Sequence, residues 1–337
     1  MASTARKNIF APGSEGTFHC WSRCVRRAHL MGDDSLTGKN YDHRRDWLYD
    51  RLAVICECYC IDVLFFAVLA NHFHLVLTSH PRLVKRLGDW EVARRWLLLY
   101  PGKRVLEGRP PEPTEQQIKA LAADKTKMKE IRKRLSDVSW FMRSLKEPIA
   151  RRANREDECS GCFFDSRFKC RVIEDDEARL AIGLYVDLNL FRAGECDLPW
   201  ESPHCSAGAR LLSLGDGKAP SWLAEFHRLE GQSDEQPSTG GRRATDLGCL
   251  AMTFDQYTRL LMWAATKPGK GRTLPRELAE LIERQGLRPE RLSELLDQLP
   301  KLFPRVVGAP DSLRQRAAEQ QRHWYRGVGH ADQYFQS

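Results

Sequence analysis

Two histidines one residue apart, His72-Phe73-His74, are the first candidates for chemistry. On a β-strand, residues i and i+2 lie on the same face, so both imidazoles are predicted to lie side by side while Phe73 faces the core. Two imidazoles on one face can hold a divalent cation. The alternative from these residues alone is a pair of exposed or hydrogen-bonded strand histidines without a metal.

Tyr185 and Asn189 form a second candidate pair, because residues four apart share one face of a helix. An Asn carbonyl oxygen suits a magnesium-type ion as a third ligand. A tyrosine beside such an ion could act as a nucleophile, since nearby positive charge favours the phenolate. The alternative is that Tyr185 fills the core and Asn189 caps the end of the helix. The spacing does not decide between them.

The elements that must position these side chains are predicted from apolar periodicity. Residues 61–69 form a buried apolar run, and Ala70-Asn71 is a turn before a second strand over 72–78, which predicts a hairpin. Further strands are predicted over 17–26 and 163–173, and helices over 44–56, 82–100, 115–134, 136–154 and 174–190. Pro148 falls inside one of these helices and should bend or break it.

The charge of the chain is concentrated in one segment. The 337 residues carry 53 Lys and Arg against 45 Asp and Glu, a formal net charge of +8. Residues 119–155 hold twelve basic and four acidic residues, which accounts for the whole surplus. A concentrated basic stripe is typical of phosphate binding, and a solvated helix face is the alternative. The composition is that of a globular protein and excludes collagen-like and wholly disordered chains.

The cysteines and the N-terminus indicate a cytoplasmic protein. Eleven cysteines, without an apolar run suited to a signal peptide or a membrane span, favour reduced thiols. Cys159 and Cys162 form a single C-x-x-C pair. A structural zinc would need a second pair, for which Cys170 and His204-Cys205 are the nearby candidates at unusual spacing.

Four blocks, in the same order along the chain, resemble the REP-associated tyrosine transposases, a branch of the single-tyrosine HUH transposases. The blocks are the strand FHCWSRCVRR (18–27), the His72-Phe73-His74 motif, GCFFDSRFK (161–169) and the helix YVDLNLFRAG (185–194). Residues 139–154 are similar to longer bacterial members. The resemblance covers residues 16–200 strongly and 250–330 more weakly.

The resemblance implies an α+β fold, a ferredoxin-like antiparallel sheet with helices. It further implies that His72, His74 and Asn189 bind Mg²⁺ or Mn²⁺, and that Tyr185 attacks a single-stranded DNA phosphodiester to give a 5′-phosphotyrosine and a free 3′-hydroxyl. No ATP site is needed, and the chain has no Gly-x-x-x-x-Gly-Lys loop. Leu190 stands where the family usually has proline, and Ala70 replaces a commoner Pro or Ser; neither change removes a ligand or the nucleophile.

The expected partner is single-stranded or hairpin DNA, with palindromic repeats as the favoured target and no membrane. Basic residues near the predicted site and along the stripe are candidates for phosphate contacts: Arg23, Arg26, Arg27, Lys129, Arg132, Lys133, Arg134, Lys146, Arg151, Arg152, Arg167, Lys169 and Arg192. Four aromatic residues could stack bases, with core packing favoured for them: Trp21, Trp140, Phe141 and Phe168.

The predicted organisation is an HUH transposase domain over 1–200 with a basic helical insertion at about 82–155, a polar linker over 201–248 and a small C-terminal helical region over 249–330. A bacterial, cytoplasmic and nucleoid-associated location is expected. Two other functions remain open at this point: a catalytically silent, domesticated transposase that regulates by binding DNA, and a zinc hydrolase built on His72 and His74. Monomer and dimer are both compatible with the sequence.

Overall fold

The fold is mixed α and β, with helices packed around one central sheet. The computed structural model describes residues 13–25, 28–34, 38–102, 110–216, 220–226, 236–266, 273–321, 325 and 327–336. The strands are β1 (Gly16–Arg23), β2 (Asp33–Asp34), β3 (Lys39–Asn40), β4 (Ile61–Val68), β5 (His72–Ser79), β6 (Lys169–Ile173) and β7 (Val306–Val307).

Fourteen α-helices are found among the described residues. They are α1 (His43–Cys58), α2 (Pro81–Arg86), α3 (Asp89–Leu99), α4 (Glu115–Ala123), α5 (Lys125–Arg134), α6 (Val138–Glu156), α7 (Asp176–Asp187), α8 (Asn189–Arg192), α9 (Ser206–Asp216), α10 (Phe254–Ala265), α11 (Arg276–Arg284), α12 (Leu292–Leu302), α13 (Pro310–Glu319) and α14 (Val328–Tyr334). None of the described helices is long and apolar enough to cross a membrane.

The five strands of the central sheet lie in the order β4-β5-β1-β6-β7. Neighbouring strands are antiparallel except for β6 and β7, which are parallel. The path β1, α1, β4, β5, a helical segment and β6 follows the ferredoxin-like βαββαβ plan. The predicted α+β fold with a ferredoxin-like antiparallel sheet is confirmed, and β7 adds a parallel strand at its edge.

Strand β4 is buried along its whole length, as its apolar sequence predicts. Its outer edge is covered by the segment after residue 201. Leu223 and Cys205 form isolated bridges with β4, and Arg210 donates to the Leu64 carbonyl at 2.8 Å. The range predicted as a polar linker therefore contains helix α9 and residues that protect a sheet edge from solvent.

Pro148 was predicted to bend or break helix α6; the helix continues through it, so the predicted break is wrong. A proline has no N–H to donate to the carbonyl four residues earlier, which here belongs to Ser144. The Arg51 side chain supplies the missing donor, with its Nε at 3.0 Å from that carbonyl oxygen. The helix therefore keeps this buried acceptor satisfied without an internal bond.

The C-terminal helical region is joined to the sheet. Val172 and Glu174 donate backbone hydrogen bonds to Arg305 and Val307, at 2.9 and 3.0 Å, which pairs the outer edge of β6. Helix α12 packs against α7, the helix that carries Tyr185. Thr253 and Gln256 form a capping box at the start of α10.

Candidate active site

The candidate side chains of the strands lie on one face of the sheet. His74 is the cross-strand partner of Trp21, and His72 is the partner of Arg23. On the other side of β1, His19 is the partner of Arg171. Because directly opposed residues and residues i and i+2 share a face, these side chains all belong to the same surface of the sheet. Phe73 lies on the opposite face and is fully buried, as predicted.

Helix α7 lies close to this face and brings Tyr185 to the histidines. Gly183 allows the approach, because a Cβ at that position would lie 2.8 Å from the Phe65 ring. The Tyr185 ring then meets both His74 and His19 edge-on, with centroids 5.9 Å apart in each pair. The structure thus brings the predicted nucleophile and the predicted histidines together.

Both histidines of the motif have one ring nitrogen occupied and the other available. The Nδ1–H of His72 donates a hydrogen bond to the Asn71 Oδ1 at 2.6 Å. The Nδ1 of His74 lies 2.8 Å from the Nε2 of His19. Among the described residues, neither Nε2 has a hydrogen-bond partner. Metal-ligating histidines typically show this pattern, with an outer partner on the second nitrogen.

Electrostatics keep these imidazoles neutral. Burial and the nearby Arg23 guanidinium lower the pKa of His72 to about 4. Burial, followed by the neighbouring histidines, lowers the pKa of His74 well below its usual range. Metal binding requires the neutral imidazole with a free lone pair. At neutral pH both side chains are therefore ready to act as ligands.

Asn189 lies one turn after Tyr185 at the start of α8. Its Nδ2 donates to the Tyr185 carbonyl at 2.7 Å, so it does cap the preceding helix. Its Oδ1 accepts no hydrogen bond from any residue that the structure describes. The two sequence interpretations are compatible, because one end of the amide caps the helix while the other end stays free to act as a ligand.

The metal that this donor set would hold stays a prediction, because imidazole suits zinc and other transition metals whereas an amide oxygen suits Mg²⁺ or Mn²⁺. Within the described ranges, no group of three or more His, Cys, Asp and Glu side chains could hold a metal. A third protein ligand beside His72 and His74 would have to be another residue type, such as the amide of Asn189. His19 is a third histidine nearby, but its Nε2 is bound to His74. Cys159 and Cys162 are exposed, whereas Cys170 is buried against Cys20.

His19 and Arg171 were missed by the sequence interpretation. Arg171 is only 2% exposed, and its Nε and Nη1 have no hydrogen-bond partner among the described residues. Burial lowers the pKa of Arg171 to about 10, although the nearby Tyr185 acts to raise this pKa. The guanidinium therefore stays charged at neutral pH, as a buried cation near the candidate nucleophile. The sequence contains one signal for His19: it lies two residues before Trp21 on a predicted strand, so both side chains share one face.

Glu195 is a further residue without a sequence signal. Its carboxylate accepts a hydrogen bond from the Ala70 N–H at 3.1 Å and pairs with Arg45 at 2.8 Å. Ala70 and Asn71 form the turn of the β4–β5 hairpin, just before His72. The segment that follows Asn189 is therefore tied to the loop that presents the histidines.

The predicted phosphate-binding residues near the site differ in their surroundings. Arg23 and Lys169 are exposed at the ends of β1 and β6. Arg192 donates to the Leu296 carbonyl at 2.9 Å and to Asp297 at 2.8 Å, so it ties α8 to α12. Arg26 and Arg27 lie outside the described residues.

The basic stripe lies on α4, α5 and α6, and much of its charge is paired within the protein. Arg132 donates to the Val84 and Leu87 carbonyls and to Asp89. Similar contacts occupy others: Arg134 with Glu130 and the Trp140 ring, Arg151 with Glu147, and Arg152 over the Trp47 ring. Lys129 and Lys133 are exposed and form no ion pair with described residues. DNA binding by the stripe stays a prediction, carried best by these two lysines.

Two of the four candidate stacking aromatics are core residues. Phe141 is fully buried and meets the Tyr59 ring edge-on, with centroids 5.3 Å apart. Phe168 is 6% exposed. Trp21 and Trp140 are half-buried. Of the four, only these two tryptophans are partly exposed, and each already has an arginine over its ring.

Comparison with known proteins gives one distant neighbour. No family model and no curated protein matches the chain. Among solved structures, the chain is similar to a REP-associated tyrosine transposase bound to a REP hairpin, with a TM-score of 0.35 and 12% sequence identity. The match covers 69% of this chain and 98% of the other.

Proposed function

We propose that this chain is a metal-dependent transposase-type endonuclease that cleaves and rejoins single-stranded or hairpin DNA through Tyr185. The observation that carries the proposal is the position of Tyr185, whose ring lies edge-on to His74 at 5.9 Å. His72 and His74 each have Nδ1 occupied and Nε2 available beside it. The four sequence blocks that resemble the REP-associated tyrosine transposases support the same reaction.

The residues that would hold Mg²⁺ or Mn²⁺ are His72 and His74 through Nε2, and Asn189 through Oδ1. When bound, such an ion polarises a phosphoryl oxygen and stabilises the charge that develops on it. Asn71 and His19 keep the two imidazoles oriented by holding their Nδ1 atoms. Glu195 holds the hairpin turn against the segment that carries Asn189.

The reaction at the protein is a phosphodiester exchange. The Tyr185 oxygen attacks the phosphorus, an O–P bond forms, and the bond from phosphorus to the 3′ oxygen breaks. The phenol proton is lost and the 3′ oxygen gains one, which leaves a 5′-phosphotyrosine and a 3′-hydroxyl. Attack by another 3′-hydroxyl reverses these steps and rejoins the strands. Arg171 supplies fixed positive charge near the phosphoryl group, where preorganised charge is most effective.

Strand cleavage tests the proposal directly. A pool of hairpin oligonucleotides with random loops and tails, labelled at the 3′ end, is incubated with the protein and Mn²⁺. We expect labelled DNA to remain attached to the protein after denaturation. When EDTA is present, or Tyr185 is replaced by Phe, we expect all of the label in free DNA and none on the protein. An adduct in Tyr185→Phe would contradict the assignment of the nucleophile. Salt-sensitive DNA binding without any cleavage would favour the alternative function, a catalytically silent, domesticated transposase that regulates by binding DNA.

A further inference from the structure

A cavity of about 480 Å³ lies between helix α6 and the loop over residues 161–168 that leads into β6. We call it the α6 pocket. Its walls include Trp140 and Met142 from the helix and Phe163, Phe164 and Phe168 from the loop. Pockets with mostly apolar walls and a few polar groups at the rim are typical of ligand sites. None of the residues assigned above to cleavage lines it.

The rim of the α6 pocket is positively charged. Arg143 lies over the Trp140 ring at 5.1 Å, and Lys146 lies over the Phe164 ring at 4.9 Å. Arg167 is exposed and forms no ion pair with described residues. The single acid at the rim, Glu147, is paired with Arg143 at 3.0 Å. An aromatic wall under a cationic rim suits a ligand with a flat ring and an attached anion.

The α6 pocket lies against the face of the sheet opposite the histidines, because its wall residue Phe164 meets the Phe73 ring edge-on, with centroids 5.8 Å apart. The Asp165 N–H donates to the Arg23 carbonyl at 2.9 Å, and the Val25 N–H donates to the Phe163 carbonyl at 3.0 Å. Arg23 is the cross-strand partner of His72. The loop that forms the pocket is therefore tied to the same end of the sheet as the histidine motif. A DNA strand at Tyr185 would reach the pocket by crossing this end of the sheet beside Arg23.

We propose that the α6 pocket binds one unpaired nucleobase of the DNA strand, with its phosphate held by the cationic rim. The proposal rests on the proposed function for the identity of the ligand. Trp140 is half-buried, and its ring lies 4.1 Å from the Arg134 guanidinium and 5.1 Å from that of Arg143, so a stacking base would take the place of one of them. Stacking is tolerant of base identity because every base has a π-face. Arg143, Lys146 and Arg167 then contact the backbone and carry no sequence information.

Two cysteines of the same loop region make the test specific. Cys162 is exposed and lines the α6 pocket, whereas Cys159 is exposed and does not line it. The measurement is the alkylation rate of each thiol in Tyr185→Phe, which removes cleavage from the experiment. The probes are the thymidine pentanucleotide and an abasic pentamer with the same phosphates. We expect the thymidine probe to slow Cys162 alkylation at least fivefold and to leave Cys159 unchanged.

The matched variants separate base from backbone. In wild type the thymidine pentamer should bind about 5- to 150-fold more tightly than the abasic pentamer, the range for one stacked base. Trp140→Leu should abolish this difference, and Arg167→Gln should weaken both probes equally. Equal alkylation of Cys162 with and without DNA, or equal affinity for the two probes in wild type, would overturn the proposal. Because cleavage is not measured, this failure is distinguishable from failure of the proposed function, which the adduct assay reports.

Discussion

Replacement of His19 by Phe should weaken metal binding without removing a ligand. For the Nε2 of His74 to bind a cation, the imidazole proton must be on Nδ1, which then donates to the Nε2 of His19. That contact is 2.8 Å long and buried. Phenylalanine keeps the ring and its packing against Trp21 and Tyr185 but leaves the His74 Nδ1–H without an acceptor.

The expected magnitude follows from the burial of the lost partner. An unsatisfied buried donor costs about 1–3 kcal/mol. Loss of an outer partner of a metal-ligating histidine typically lowers metal affinity about 10- to 100-fold, which is the same range of free energy. Titration of Mn²⁺ by calorimetry should show this loss in His19→Phe. His19→Gln should recover most of the affinity, because its amide oxygen can accept from the same Nδ1.

Folding must be separated from metal binding in this experiment. Urea unfolding of the metal-free proteins, followed by circular dichroism, reports whether each variant retains the native fold. A folded His19→Phe that binds Mn²⁺ as tightly as wild type would refute the reasoning, because His74 would then not depend on its buried neighbour.

Three further changes test other parts of the structure. Gly183→Ala should lower the free energy of unfolding by about 1–3 kcal/mol and reduce adduct formation, because the new Cβ meets the Phe65 ring at 2.8 Å and displaces α7. Asp187→Ala should cost about 3 kcal/mol or more in urea unfolding, since this buried carboxylate accepts hydrogen bonds from a backbone N–H and two hydroxyls. Neutralising Lys129 and Lys133 together should reduce the slope of log affinity for single-stranded DNA against log salt by about 1.4, if each contacts one phosphate.

The glycine and lysine changes have matched controls. Gly88→Ala meets open space and should leave adduct formation unchanged. Neutralising Lys119 and Lys125, which are already paired with Glu115 and Asp89, should change the salt slope less. An equal change in slope for both lysine pairs would return the stripe to a solvated helix face. An unchanged urea midpoint in Asp187→Ala would show that the buried carboxylate contributes no net stability.

The local parts of the site could be predicted from the sequence. The alternation His72-Phe73-His74 follows from strand geometry, and the helical spacing of Tyr185 and Asn189 places both near the end of α7. These predictions depend on which residues share a face: every second residue on a strand, and residues about four apart on a helix. Both spacings can be read from the sequence. The buried run before the turn also identified the hairpin that presents the histidines.

The long-range parts could not be predicted in the same way. His19 and His74 are 55 residues apart, and their contact depends on the register between β1 and β5. Arg171 reaches the site through the register of a different strand pair. The continuous helix through Pro148 depends on Arg51, a donor from another helix. Such contacts are set by packing across the sheet and leave no periodic pattern in the sequence.

The central claim is that Tyr185 becomes covalently attached to the 5′ end of cleaved DNA. Tryptic cleavage after Arg179 and Arg192 releases a peptide in which Tyr185 is the only tyrosine. After reaction with hairpin DNA and Mn²⁺, nuclease trimming and mass spectrometry, we expect this peptide with a nucleotide esterified to Tyr185. Cleaved DNA with this peptide unmodified, or with the nucleotide on another residue, would contradict it.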